Sequence, residues 1–320
     1  MKGIFYNSSE ALCSIWESGK MCYDSLKKSN MYELYYSEEK QIQDYDTYDF
    51  IIFNYHDFVN NWITEEMLIK FNKPNFAIIT EVYLNGENPI ETNKNANFFK
   101  YYIILDPTIK ETSQIFAFVR PIENYEITPH SYISTDIPEI FSFGFATYGK
   151  EWHKIVELVQ QEFDVANIHF NIPKGTHVPD HIHNNNINII NDNISKILYK
   201  PEIKFKITQD ILSKLEILEI CAKKTMNCFY YNRNDIYAHG LSAVTDQAIA
   251  SGRPLFITGD RTFRHIHKYI EYYPNIGIKQ AIEKTQEGVL KMKKEWSSLN
   301  FMLKFEEIIS NIIDFSIKRN

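Results

Sequence analysis

The sequence predicts an α/β protein made of two Rossmann-like parallel-sheet domains, and three observations carry that prediction. Apolar runs of strand length alternate with amphipathic segments along most of the chain, the pattern of βαβ units around a parallel sheet. Between Arg120 and Pro138 the alternation breaks into Pro121, Pro129 and polar turn residues, the composition of a linker. The stretch from Ile236 to Thr258 then reads as a glycine loop, a helix of about ten residues, a Gly/Pro turn and a buried strand. A boundary near residue 135 follows, with one domain over 1–135 and a second over 136–320.

In the first domain Gly3 to Tyr6 reads as a strand, about Ser8 to Ser29 as mostly helix, and Tyr32 to Tyr36 as a strand. Phe50 to Phe53 and Phe76 to Ile79 are continuous apolar runs, as expected of strands covered on both faces. Tyr101 to Leu105 and Ile115 to Val119 follow as later strands. The second domain starts with Ile140 to Ala146, a strand entering a glycine turn, then a helix from about Glu151 to Glu162 and a strand from Asn167 to Ile172. Asp180 to Asn193, rich in asparagine, reads as loop with a short, poorly capped helix. Asp210 to Lys224 has helical apolar spacing and Asn227 to Tyr231 is the strand after it. From Ile276 to about Lys318 the pattern is helical, with Trp296, Phe301, Phe305, Ile308, Ile309 and Ile312 forming an apolar stripe suited to bracing the first domain.

The chain has 320 residues, 44% of them hydrophobic, enough for two ordinary cores. Thirty-four basic against forty-one acidic residues give a formal charge of -7, which argues against a broad nucleic-acid-binding face. Four cysteines in no CxxC pair, together with the absence of a signal-like start, fit a reducing, cytoplasmic setting. No apolar span reaches transmembrane length, while peripheral membrane contact and oligomeric state stay open.

Open α/β sheets bind ligands outside the carboxyl ends of their strands, so candidates are sought just after each strand. In the second domain these are Gly144 and Lys150 after the first strand, and His239, Gly240, Leu241 and Ser242 at the glycine loop. A lysine can meet a diphosphate as a point charge while a helix opening at Ser242 presents N–H groups, which together suggest a nucleotide diphosphate. The plainer alternative makes the glycines turn residues and Lys150 a solvated side chain. Glu151 stands where a P-loop needs Ser or Thr. In the first domain His56 and Asp57 follow one buried strand and Glu81 another, where each is placed to accept a proton. Glu17 to Lys20 lies about three helical turns beyond the first strand and reads as a solvated face with Gly19 as a local break. Arg264 falls near the expected start of the helix after Leu255 to Ile257. His169, His177, His181 and His183 lack the spacing of a metal-ligand set, and no metal is expected.

On these residues the chain resembles the GT-B-type glycosyltransferases, and is similar to bacterial glycosyltransferase-like proteins. The run from Phe141 to Lys150 (FSFGFATYGK) resembles their strand, glycine turn and lysine. The run from Gly240 to Pro254 (GLSAVTDQAIASGRP) resembles their glycine-rich loop and following helix. Gly240, Ser242, Asp246, Arg253, Pro254, Phe263, Arg264 and His265 match the bacterial pattern. Where the large retaining group carries two glutamates, this chain has His239 and Gln247, with Asp246 the adjacent carboxylate.

The resemblance implies two Rossmann-like domains facing a central cleft, with the donor on the second and the acceptor on the first. It implies a metal-independent transfer of a sugar from a nucleotide-diphosphate donor, the only small molecule required, to a glycan or other hydroxyl acceptor, as in bacterial surface polysaccharide synthesis. Donor contacts would come from Gly144, Lys150, His239, Gly240, Leu241, Ser242, Asp246 and Arg264, and proton transfer from His56, Asp57 or Glu81. The alternatives are a non-catalytic GT-B-like binding or scaffold protein and an epimerase-like sugar-nucleotide enzyme.

Overall fold

The computed structural model describes residues 1–9, 14–42, 44–56, 59–82, 97–122, 137–175, 178–233 and 240–317, with 314–317 described by backbone only. In chain order they form β1 (Lys2–Tyr6), α1 (Ser14–Leu26), β2 (Glu33–Ser37), β3 (Phe50–Tyr55), α2 (Glu65–Phe71), β4 (Asn75–Ile79), β5 (Tyr101–Ile104) and β6 (Ile115–Ala117). There follow β7 (Glu139–Phe143), α3 (Trp152–Glu162), β8 (Ala166–Asn171), α4 (Asp180–Ile197), β9 (Ile203–Thr208), α5 (Lys214–Lys223) and β10 (Met226–Phe229). The remainder is α6 (Val244–Ala250), β11 (Leu255–Ile257), a 3-10 turn (Arg261–Phe263), α7 (Ile278–Lys284), α8 (Gln286–Glu295) and α9 (Ser298–Ile317).

Two compact units result. The first joins Met1–Asn124 to Ile236–Leu241 and Glu295–Asn320; the second joins Tyr125–Asp235 to Ser242–Lys294. The boundary expected near residue 135 lies outside the described residues.

The first unit carries a parallel six-stranded sheet in the order β2-β1-β3-β4-β5-β6. Because side chains alternate across a strand, each apolar run feeds two cores. Ile4, Tyr6, Ile51, Phe53, Ala77 and Ile79 pack on one face with Leu68 and Phe71 of α2. Phe5, Phe50, Ile52, Phe76 and Ile78 pack on the other with Cys22 and Leu26 of α1 and with Phe301, Phe305, Ile308 and Ile309 of α9. Gly3 is paired with Phe50, and a Cβ there would come 2.2 Å from the Phe50 ring, so the ring lies over bare backbone. α2 is closed at both ends, by Thr64 accepting from the Met67 N–H and by Asn72 in the left-handed region at φ 49°.

The second unit carries a parallel five-stranded sheet in the order β11-β10-β7-β8-β9. One core joins Ile140, Ile168, Phe170, Met226, Cys228 and Phe256 of the strands to Ile155, Val156 and Val159 of α3, Ile187 and Ile194 of α4 and Ala281 of α7. Two expectations change here. Asp180 to Asn193 belongs to an 18-residue helix, because Ile187, Ile190, Ile194 and Ile197 recur at helical spacing on the core side and outweigh the asparagines around them. The helix expected to open at Ser242 is seven residues long, starts after Ala243 and ends before Gly252 at φ 69°. Among the described residues no helix is long and apolar enough to cross a membrane.

Phe305 is fully buried, with the rings of Phe50, Tyr32 and Phe76 6.0, 5.8 and 5.2 Å away, centroid to centroid. Phe305→Ala is therefore expected to remove about 3–5 kcal/mol of stability, the cost of emptying a large core site. Urea unfolding checks this, and an unchanged midpoint would show that α9 contributes little to the first unit's core.

Candidate functional site

In the second unit the chain goes from β7 to β8 and β9 on one side of the sheet and to β10 and β11 on the other. The crossovers therefore part between β7 and β10, and such a switch point leaves a crevice outside the strands' carboxyl ends. Segments following these two strands are stapled together there. Lys150 bridges Tyr231 in antiparallel fashion, the Asn232 N–H donates to the Gly149 carbonyl at 2.8 Å, and the Glu151 N–H donates to the Tyr230 carbonyl at 3.0 Å. Gly144, at φ 119°, ends β7 where a Cβ would lie 2.8 Å from Lys150 Nζ and 2.9 Å from Val244. Any side chain at 144 would push the ammonium out of its place.

The Lys150 ammonium donates to the Phe145 carbonyl at 2.9 Å and sits 5.3 Å from the Tyr231 ring centroid and 5.9 Å from that of Trp152. The Arg233 guanidinium carbon is also 5.3 Å from the Tyr231 centroid. Two cations thus share one aromatic platform, and among the described residues neither pairs with a carboxylate. Burial first, and the Arg233 charge second, pull the Lys150 pKa down to about 7. Burial pushes the Tyr231 hydroxyl upward, so this shared side chain stays neutral, and its hydroxyl oxygen accepts from the Ser242 hydroxyl at 3.4 Å. Chemically the arrangement suits an oxyanion, which would restore the full charge on Lys150 and offset the repulsion between the two cations.

The other residues expected in this unit are placed differently. Ser242 caps nothing: Ala243 is the N-cap of α6 without a side-chain bond, and the Ser242 carbonyl accepts the Thr245 hydroxyl at 2.7 Å. Asp246 is buried in the first turn of α6. Arg264 closes the 3-10 turn, donating to the Arg261 carbonyl at 2.8 Å, and does not start an α-helix. His239 and His177 lie outside the described residues. His169 contacts the Thr208 hydroxyl at 2.9 Å, its pKa lowered to about 4 by burial and then by Lys206 and Lys224, while His183 meets Gln209 at 2.7 Å. Among the described residues no His, Cys, Asp and Glu group could hold a metal ion.

The first unit has its own switch point, between β1 and β3. Asn7 and Asn54, both buried, meet there: Asn54 Nδ2 donates to Asn7 Oδ1 and to the Ile15 carbonyl, each at 2.7 Å, and Asn7 Nδ2 donates to the Trp16 carbonyl at 3.0 Å. Gly19 is not a helix break on a solvated face: it is buried within α1, where a Cβ would come 2.2 Å from Asn7 Oδ1. Beyond β3, His56 Nε2 lies 3.7 Å from Glu81 Oε2, and the His56 N–H donates to Asn60 Oδ1 at 2.9 Å. The structure thus brings His56 and Glu81 together, while Asp57 lies outside the described residues.

Gly240 and Leu241, expected with the second domain, pack instead on the first unit. The reason is steric and polar. A Cβ on Gly240 would lie 2.7 Å from the Thr80 carbonyl and 3.2 Å from Glu81, and the buried Arg120 guanidinium donates to the Leu241 carbonyl through two nitrogens at 3.3 Å.

Solved structures share this fold. Sucrose-phosphate synthase from Thermosynechococcus elongatus superposes with a TM-score of 0.67 at 10% identity, over 98% of this chain and 99% of that one. Anabaena HepE in complex with UDP-glucose gives 0.60 at 10% identity, over 97% and 100%. The apo lipopolysaccharide outer core galactosyltransferase WaaB gives 0.58 at 9%, over 97% and 99%. The fold is GT-B. No protein-family model matches the chain, and no curated protein matches its sequence. At these identities the likeness speaks for the GT-B fold alone.

Arg233 is the residue that sequence reasoning passed over. The rule that flagged Lys150, proximity to a strand's carboxyl end, applies to it after β10, but its partnership with Lys150 depends on the β7–β10 pairing. We expect Lys150 to titrate near pH 7, well below the ordinary lysine value of about 10.4. Its charge is present below that pH and lost as pH rises through it. NMR of reductively methylated protein reads this directly. Arg233→Met should move the titration upward, and a Lys150 signal in the ordinary range would contradict the geometry.

Proposed function

We propose that this protein is a glycosyltransferase that moves a sugar from a nucleoside-diphosphate donor to a hydroxyl acceptor. The observation that carries the reading is the Lys150 ammonium, held at the β7–β10 switch point without a carboxylate partner among the described residues. Support comes from the GT-B fold and from HepE, solved in complex with UDP-glucose. In this reading the second unit takes the donor, with Gly144 and Lys150 at its diphosphate. The acceptor belongs to the first unit, where His56 is the proton acceptor and Glu81 orients it. Gly240 and Leu241 enter as the loop seated beside Glu81.

The reaction follows from these roles. An acceptor hydroxyl attacks the anomeric carbon, its proton passes to His56, and the bond from that carbon to the diphosphate oxygen breaks. Lys150 stabilises the charge gathering on the leaving diphosphate, the part a metal ion plays elsewhere, so the reaction proceeds without one. Displacement of this kind inverts the anomeric centre, whereas transfer with retention has no need of His56. The product's configuration therefore reports on His56. A glycan of the bacterial surface is the acceptor class in this reading; WaaB, which shares the fold, is itself a lipopolysaccharide outer core galactosyltransferase.

Two substitutions separate the roles. Lys150→Ala should weaken nucleoside diphosphate binding by about tenfold or more, measured by titration calorimetry. His56→Ala should keep donor affinity and lose about 100-fold in turnover, the usual contribution of a general base. Equal nucleotide affinity in wild type and Lys150→Ala removes Lys150 from the site. Hydrolysis of UDP-sugars that no acceptor accelerates favours an epimerase-like or hydrolytic enzyme, and binding without any turnover favours a scaffold.

A further inference from the structure

Lys150 offers one positive charge, whereas the leaving group assigned to its site carries two phosphoryl units. The second cation is already in place. Arg233 is held by three local features: its N–H donates to Asp260 Oδ2 at 2.7 Å, its Cγ lies where a Cβ on Gly149 would be 2.5 Å away, and its guanidinium sits over Tyr231. Gly149 has φ 78° and no side chain, so this approach is open only to a glycine there.

The guanidinium itself is poorly satisfied. Its Nε is buried with no hydrogen-bond partner among the described residues, and its one side-chain hydrogen bond among them goes to the Thr147 hydroxyl at 3.3 Å. The nearby carboxylate does not serve it: Asp260 Oδ2 takes the Arg233 backbone N–H, and Oδ1 takes the Thr262 N–H at 2.9 Å and hydroxyl at 2.7 Å. A buried, unpaired N–H on a cation is costly, and costlier beside a second cation. An oxyanion accepting from Nε and the adjacent nitrogen removes both penalties, because the planar fork matches phosphate oxygens in pairs.

We propose that Arg233 is the clasp for the second phosphoryl group, so that Lys150 and Arg233 together select diphosphates over monophosphates. The proposal rests on the donor role given to the second unit and goes beyond it by assigning the group that sets phosphate count.

Calorimetric titration of wild type, Arg233→Met and Arg233→Lys with UDP, UMP and inorganic pyrophosphate tests it. Wild type should bind UDP about tenfold or more tighter than UMP. Arg233→Met should lose about tenfold in UDP affinity while UMP affinity stays within about threefold, collapsing the preference. Arg233→Lys keeps the charge but not the fork and should lie between them. If Arg233→Met does not fold, judged by circular dichroism, Arg233→Lys decides, and must lower UDP affinity by about threefold or more. Unchanged UDP affinity, or equal losses for UDP and UMP, overturns the clasp. Pyrophosphate separates the two layers. If it binds and Arg233→Met abolishes that binding while neither nucleotide binds, the clasp stands and the donor reading falls. If wild type binds none of the three, both fall.

Discussion

Two positive charges held over one buried tyrosine are the constraint around which the second unit is arranged. Bringing Lys150 and Arg233 together is unfavourable twice, since each loses solvent and each repels the other. The fold sustains the pair through backbone. The Lys150–Tyr231 bridge and the Asn232–Gly149 hydrogen bond fix the two segments, Asp260 anchors Arg233, and bare backbone at Gly144 and Gly149 leaves room for both side chains. Every one of these supports comes from residues following β7, β10 or β11. The arrangement is therefore a consequence of strand order: exchanging β10 for any other neighbour of β7 would part the cations.

The first unit solves the same topological problem in another way. At its β1–β3 switch point the polar groups are amides, and Asn7 and Asn54 spend most of their hydrogen-bonding capacity on each other and on carbonyls at the start of α1. Gly19 lets that helix close over them. The side chains to which the proposed reaction gives its proton transfer, His56 and Glu81, lie one step further out, 3.7 Å apart and without a short hydrogen bond between those two atoms. The buried amide of Asn54 and the His56 imidazole are thus only two residues apart, at the end of β3 and in its following loop.

Much of this was legible in the sequence because both sheets are parallel and buried, which leaves continuous apolar runs such as Phe50 to Phe53 and Phe76 to Ile79. The GT-B fold could be read from the strand, glycine and lysine around Gly144 and from the loop and helix near Gly240. Elements with mixed polarity were not legible. β9 alternates lysine with apolar residues at a sheet edge, and α4 hides its isoleucine stripe among asparagines. The sequence places the start of α6 to within a residue or two, but not the cap, which falls on Ala243 while the Thr245 hydroxyl bonds back to the Ser242 carbonyl. Lys150 could be found from its place after a strand, but Arg233 gains meaning only from a pairing between strands far apart in the chain. The place of Gly240 on the first unit is illegible for the same reason, since its neighbours Thr80 and Glu81 are remote in sequence.

The most direct measurement is a crystal structure of the protein with UDP bound. The account predicts a diphosphate oxygen within hydrogen-bond distance, about 3.2 Å, of Lys150 Nζ, outside the carboxyl ends of β7 and β10. A nucleotide seated elsewhere, with its phosphates more than about 8 Å from Lys150 and so beyond any direct contact, would contradict it.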